Sequence, residues 1–155
     1  MELIIFIGLQ ASGKSTFYHQ HFETTHIHVS KDLLHNNKKP GRRQMQLVEE
    51  ALKAGQSVVV DNTNPTPVDR EPLIRLGHEY GAEVIGYYFE SNTRSSLERN
   101  KTREGKARVP DVAIYVTASK LASPTYAEGF DTLYDVHIAE NSGFEVRARE
   151  KNEVQ

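Results

Sequence analysis

Apolar residues gather along this chain into short continuous runs, separated by longer stretches in which they recur every third or fourth position. Runs at Leu3–Ile7, His26–Val29, Ser57–Asp61, Ala82–Phe89 and Tyr134–Ala139 read as strands, and the first of them, Leu-Ile-Ile-Phe-Ile, has no polar face. A strand apolar on both faces needs cover on both, which a parallel sheet with helices on each side supplies. The intervening segments fit that arrangement. Between Gln44 and Ala54, residues Met45, Leu47, Val48, Ala51 and Leu52 fall at helical spacing, and Gly55 follows as a stop. Pro67 opens another helix to about Tyr80, with Leu73, Ile74 and Leu76 turned inward and Gly81 at its end. Thr93 reads as the cap of a helix running through Leu97 toward Lys101, after which Gly105 and Pro110 bracket a polar, basic loop. The alternation predicts an α/β fold with a doubly wound, five-stranded parallel sheet. In this reading residues 1–144 form one domain, and 145–155, charged and without helical period, form a frayed tail.

Composition narrows the setting. A chain of 155 residues that is 37% hydrophobic suits one ordinary core. With no cysteine there is neither a disulfide framework nor a thiolate metal site, so a cytoplasmic location is the natural expectation. The first apolar run is too short to span a membrane, and no membrane association is expected. A net charge of −2 argues against coating nucleic acid through bulk charge, which leaves any anionic partner to local clusters. Two clusters exist: Lys38-Lys39-Pro40-Gly41-Arg42-Arg43, and the spread Arg99, Lys101, Arg103, Lys106, Arg108. The histidine pairs His19/His21 and His26/His28 have no third ligand at metal-binding spacing and read as polar surface or half-buried residues.

The chemistry begins where the first strand ends. Gly8-Leu9-Gln10-Ala11-Ser12-Gly13-Lys14-Ser15 fits the phosphate-loop pattern, in which backbone N–H groups surround a triphosphate and the lysine reaches its β and γ oxygens. Gly8, Gln10, Ala11, Ser12, Gly13, Lys14, Ser15 and Thr16 are the candidate ATP-binding residues, and a helix starting at Lys14 adds its positive dipole end. Ser15 offers a hydroxyl to Mg²⁺. Asp61 closes the apolar run Val58-Val59-Val60 and is a candidate second metal residue, although an Asx turn ending a strand gives the same pattern. Asp32, just beyond the second strand, is placed to accept a hydroxyl proton during phosphoryl transfer; as an alternative it is the first-turn acid of a short helix. Arg99 and Arg103 are four apart, so on one helix they share a face and can close over a triphosphate, as a lid arginine does. A solvated basic helix end looks the same.

Taken together, "GLQASGKST", "VSKD", "VVVDNTNPT" and "RNKTREGKARVP", in this order and at these separations, resemble the kinase domain of polynucleotide 5′-hydroxyl kinases of phages and animals. "ASPTYAEGFD" is similar to a segment of the animal enzymes, and the resemblance runs from about Met1 to Ile138. It implies a P-loop kinase fold and ATP-dependent transfer of the γ-phosphate, with Mg²⁺, to the 5′-hydroxyl end of RNA or DNA. By position, Lys14 and Ser15 match the phosphate-loop pair, Asp32 the general base, Arg103 the lid arginine and Arg99 its neighbour one turn earlier. The acceptor side falls to His35, Arg42, Arg43, Asn62, Asn64 and Arg70. His35 stands where the phage enzyme carries an arginine that grips the acceptor's 3′ phosphate, and a histidine lacks that bidentate fork. Any phosphatase or ligase partner is expected on a separate chain. A small-metabolite kinase on the same scaffold, acting on a sugar, nucleoside or drug, uses an early carboxylate equally well. A non-catalytic nucleotide-binding adaptor is the third reading.

Overall fold

The computed structural model describes residues 1–34, 36–139, 141 and 143–151. In chain order the elements are β1 (Glu2–Ile7), α1 (Lys14–His21), β2 (Ile27–Val29), α2 (Pro40–Lys53), β3 (Val58–Asp61), α3 (Pro67–Glu79), β4 (Glu83–Phe89), α4 (Thr93–Lys101), α5 (Asp111–Lys120), β5 (Thr132–Ile138) and β6 (Phe144–Arg149). Short 3₁₀ turns lie at Lys31–Leu34, Gly105–Ala107 and Tyr126–Glu128. The strands form one sheet in the order β2-β3-β1-β4-β5-β6. Its first five members are parallel, and β6 alone is antiparallel, against β5.

Strand polarity explains the layering. Leu3, Ile5 and Ile7 face one side, with Val48, Ala51 and Leu52 of α2 and Leu73, Ile74 and Leu76 of α3 packed on them. Ile4 and Phe6 face the other, under Phe17 and Tyr18 of α1. Every residue of β1 from Leu3 to Ile7 is at most 1% exposed, as expected of a central strand apolar on both faces. Because β1 neighbours both β3 and β4, its C-terminal end lies where the chain order reverses, and in such sheets the loops at that point form the ligand crevice.

Three expectations are corrected. The sheet has six strands, because residues 144–149 pair with β5 in place of fraying. Phe-Glu-Val-Arg-Ala-Arg alternates apolar and charged residues, a two-residue period that a search for helical spacing passes over. The cap of α4 is Asn92, whose side chain accepts from Ser95 N at 2.7 Å, so Thr93 is its first helical residue. Finally, α2 starts at Pro40, four residues before the predicted apolar stripe, with proline at the first helical position where its missing N–H costs nothing.

Candidate phosphate-loop site

The loop from Gly8 to Ser15 is braced from below and from the side. Gly8 N donates to Thr63 O at 3.0 Å, tying the end of β1 to the turn after β3. Gly13 caps α1 with φ of 93°, a left-handed conformation that glycine alone adopts without a steric cost, and a Cβ there would come within 2.9 Å of the Phe144 ring. Ala11 is also left-handed, at φ 58°, and its carbonyl accepts a 3.2 Å bond from Arg99 Nη1, which holds this strained turn in place. Among the described residues no carbonyl accepts from the amides of Gly13, Lys14 or Ser15. These amides sit at a helix N-terminus and suit an anion.

Lys14 is buried within this loop. Its Nζ donates to Leu9 O at 2.6 Å, Gly8 O at 3.1 Å and Ser12 Oγ at 3.4 Å. Burial pushes its pKa down from 10.5 to about 8; Arg103 adds to that fall, while Asp61 and Asp32 oppose it. An ammonium so desolvated gains from a polyphosphate, which returns both charge and hydrogen-bond acceptors to it.

Asp61 stands beside it with only 5% of its surface exposed. Ser15 Oγ donates to Asp61 Oδ2 at 2.7 Å and His28 Nε2 donates to the same oxygen at 2.8 Å. Burial pushes this carboxyl up, but the His28 bond, the Lys14 charge and the Ser15 hydroxyl outweigh burial and hold it below its usual value. His28 is in turn stacked on Tyr18 at 3.9 Å, which fixes the ring plane. An ionised carboxylate next to a serine hydroxyl is a hard-oxygen pair that fits Mg²⁺.

A cleft of about 390 Å³ opens over the loop. Lys14, Asp32 and Arg103, the three residues predicted to be catalytic, all line it, coming from α1, the 3₁₀ turn after β2 and the segment after α4. The turn that carries Asp32 is pinned by Lys31 N donating to Asn62 Oδ1 at 2.9 Å, and Asn62 Nδ2 donates to buried Gln44 Oε1 at 2.5 Å. On the far wall, Gln10 Nε2 donates to Thr117 Oγ1 at 2.9 Å, linking the loop to α5. Asn100 fixes the approach to that helix, bonding Val109 through both its carbonyl (3.0 Å) and its amide (2.7 Å).

Several predicted site residues lie elsewhere. Helix α4 ends at Lys101, so Arg99 and Arg103 do not share a helical face: Arg99 braces the loop through Ala11 O, and Arg103 alone of the two lines the cleft, with Nη1 on Ala107 O at 3.0 Å. Arg70, predicted on the acceptor side, is 0% exposed. Its guanidinium pairs with Glu128 at 3.0 Å and donates to the carbonyls of Asn64, Pro65 and Ala122, so it clamps the β3–α3 turn to the segment before β5. Asn62 and Asn64 do line the cleft, but their amides are engaged in the turn, Asn64 Nδ2 on Phe6 O at 2.7 Å. Arg42 is exposed and Arg43 pairs along α2 with Glu50 at 3.8 Å, and neither lines the cleft. Thr16 is exposed outside the lining, and His35 falls outside the described residues. The lining adds residues that the sequence reading did not single out, among them Gln44, Thr63, Thr117 and Lys120. No local motif marks them, since each reaches the cleft through packing. His28, read as a polar residue, is Asp61's partner.

Comparison with known proteins bears on the family and the fold. A family described as AAA domain matches residues 3–124. A bifunctional polynucleotide phosphatase/kinase of Schizosaccharomyces pombe is 29% identical over 139 residues, covering 87% of this chain and 33% of its own length. The chain thus spans about a third of the length of the curated relatives it matches. Among solved structures, Kti12 of Chaetomium thermophilum in complex with ADP-AlF3 superposes with a TM-score of 0.71 at 14% identity, over 90% of this chain and 92% of that one. A gluconokinase of Sinorhizobium meliloti 1021 gives 0.64 at 19% identity, over 90% and 83%. These likenesses establish the α/β P-loop kinase fold.

Proposed function

The chain belongs to the AAA domain family, and from that premise we propose that it is an ATP-dependent kinase that phosphorylates the 5′-hydroxyl end of RNA or DNA. The observation that carries this reading is the convergence of Lys14, Asp32 and Arg103 on one cleft above the phosphate loop. The amides of Gly13, Lys14 and Ser15, with Lys14 Nζ, would hold the ATP phosphates, and Ser15 and Asp61 would hold Mg²⁺. Bound there, Mg²⁺ supplies charge neutralisation on the phosphate oxygens. Asp32 accepts the proton of the acceptor hydroxyl as its oxygen forms the new bond to the γ-phosphorus. The bond from that phosphorus to the β–γ bridging oxygen breaks, and ADP leaves with the electron pair. Lys14 and Arg103 offset the negative charge that spreads over the transferring group.

The acceptor class rests on the relative named as a polynucleotide phosphatase/kinase and on Lys31 and Lys120 at the cleft. A metabolite kinase is the second reading. It is favoured by the burial of Arg70 and by the position of Arg42 and Arg43 outside the lining, which together leave few cations for a polynucleotide backbone. Transfer of labelled γ-phosphate to a panel of 5′-hydroxyl oligonucleotides, mononucleotides, sugars and small alcohols separates the two. Oligonucleotide phosphorylation is expected, with a KM that rises with salt, since salt ions compete for the phosphates that Lys31 and Lys120 would contact. Transfer confined to sugars or small alcohols would overturn the polynucleotide reading.

A further inference from the structure

The sheet has two unequal edges. β2 is three residues long and blunts its own side, whereas β6 presents six residues, Phe144–Arg149. Long edges in natural sheets are guarded by proline, a bulge, a covering element or charged side chains. β6 contains no proline, and its register against β5 runs without a skip from Ile138↔Phe144 to Leu133↔Arg149, so its protection rests on the charges of Glu145, Arg147 and Arg149, which alternate in a pattern that a like strand can complement.

The phase of that ladder fixes what the edge offers. Ala139 N donates to Gly143 O at 2.7 Å, so in an antiparallel alternation the backbone groups of Glu145, Arg147 and Arg149 turn toward β5. Tyr126 Oη fits this phase, accepting from Leu133 N at 2.9 Å and donating to Arg149 O at 2.6 Å. The N–H and C=O groups of Phe144, Val146 and Ala148 therefore point out of the sheet. Their side chains share a face with the stacked Tyr87 and Tyr134 rings, through the register Tyr134↔Ala148, and Val146 is 45% exposed. The opposite face carries Glu145, paired with His137 at 2.7 Å, and Arg147, which makes no ion pair among the described residues.

We propose that β6 pairs antiparallel with β6 of a second copy of this chain, in the register centred on Val146, joining the two sheets into one. Three central registers about a two-fold axis keep the outward-facing even residues opposite one another. Centred on residue 145, the pairing sets Glu145 against the partner's Glu145; centred on residue 147, it sets Arg147 against the partner's Arg147, and the partner's Glu145 would there meet Arg149, which Asp135 of its own sheet already holds at 2.5 Å. Like charges directly opposite destabilise a strand pair. Centred on Val146, each Glu145 faces the partner's Arg147, the two Val146 side chains meet, and Phe144 faces the partner's Ala148 on the aromatic side. Charge complementarity thus selects both the occupant of the edge and its register.

Sedimentation equilibrium of the full chain at about 100 μM is expected to return twice the 17.5 kDa chain mass. Val146→Pro removes an outward N–H and leaves the β5–β6 bonds intact, so it is expected to give a monomer with unchanged circular dichroism. Glu145→Arg and Arg147→Glu are each expected to weaken the dimer tenfold or more, and the double exchange to restore it. A wild-type monomer at that concentration, or a dimer indifferent to Val146→Pro, would overturn the proposal. If the proline variant does not fold, the charge series decides: a double exchange as weak as the singles rejects this pairing.

Discussion

Ser15 Oγ lies 2.7 Å from Asp61 Oδ2, although 46 residues separate them in the chain. This bond joins the start of α1 to the end of β3 and places a hydroxyl and an ionised carboxylate side by side under the phosphate loop. His28 donates to the same carboxylate oxygen, so the oxygen is saturated by two donors from different elements.

Asp61→Asn is expected to raise the Mg²⁺ concentration needed for half-maximal transfer by about 10- to 100-fold, the usual cost of disturbing a metal-site shell. It should also change the acid limb of stability. Asp61 is held below its usual 3.8, so its contribution is complete above that pH and is lost as pH falls below it. Melting curves between pH 6 and pH 2.5 are expected to show the wild type losing more stability than the variant. Parallel losses would mean that Asp61 gains nothing from its two donors.

Lys14→Met is expected to abolish transfer and to alter stability in an alkaline window, where stability again rises with pH but because a destabilising charge is lost. The folded pKa of Lys14, about 8, lies below its ordinary 10.5. Below pH 8 both states hold the proton, and the folded state bears the desolvation of a buried charge. Between pH 8 and 10.5 the folded state releases it while the unfolded state keeps it, so stability rises with pH across that window. The cost at neutral pH is on the order of 2–4 kcal/mol. Relative to Lys14→Met, the wild type should therefore gain stability from pH 8 to 10; a constant difference would exclude a depressed Lys14.

Asp32→Asn keeps the shape of the side chain and removes the proton acceptor. Turnover at saturating ATP is expected to fall by about 10²–10⁴ with nucleotide affinity preserved. Loss of ATP affinity with an unchanged limiting rate would assign Asp32 to the nucleotide site instead.

Arg99 and Arg103, four residues apart, are expected to fail differently. Arg103→Lys should lower kcat more than ATP binding, because an ammonium does not reproduce a planar fork on two phosphate oxygens. Arg99→Ala should mainly raise the KM for ATP, because it releases the Ala11 carbonyl and with it the loop conformation that binds phosphate. Identical kinetic profiles for the two variants would contradict the division of roles.

Arg70→Met leaves Glu128 without its partner at 11% side-chain exposure and orphans buried carbonyls. A loss of about 3–5 kcal/mol is expected, the range for breaking a buried pair from one side. Below the melting transition, the KM for the acceptor should stay within twofold of wild type. A selective rise in acceptor KM without destabilisation would return Arg70 to the acceptor site.

What the sequence determined by itself were features written locally. The apolar run of β1, the glycines and lysine of the phosphate loop, the Pro67 start of α3 and the Gly55 and Gly81 stops each depend on neighbours within a turn or two, where backbone sterics and hydrogen bonding act. They sufficed for the α/β class, the five parallel strands and the position of Lys14. The strand Phe144–Arg149 was legible as well, in its two-residue alternation, but its charged side chains resemble a tail until β5 is there to pair with. Tertiary structure alone decided the rest. Arg70 and Glu128, 58 residues apart, form a buried clamp that no spacing announces, and an arginine within a helix carries no mark of burial. Arg99 became a brace and Arg103 a cleft residue because α4 stops at Lys101. His28 joined Asp61 only when β2 was laid beside β3. These roles turn on contacts between segments distant in sequence, and those of Arg70 and Asp61 also on the desolvation of a charge, an energy that exists only once the core has closed around it.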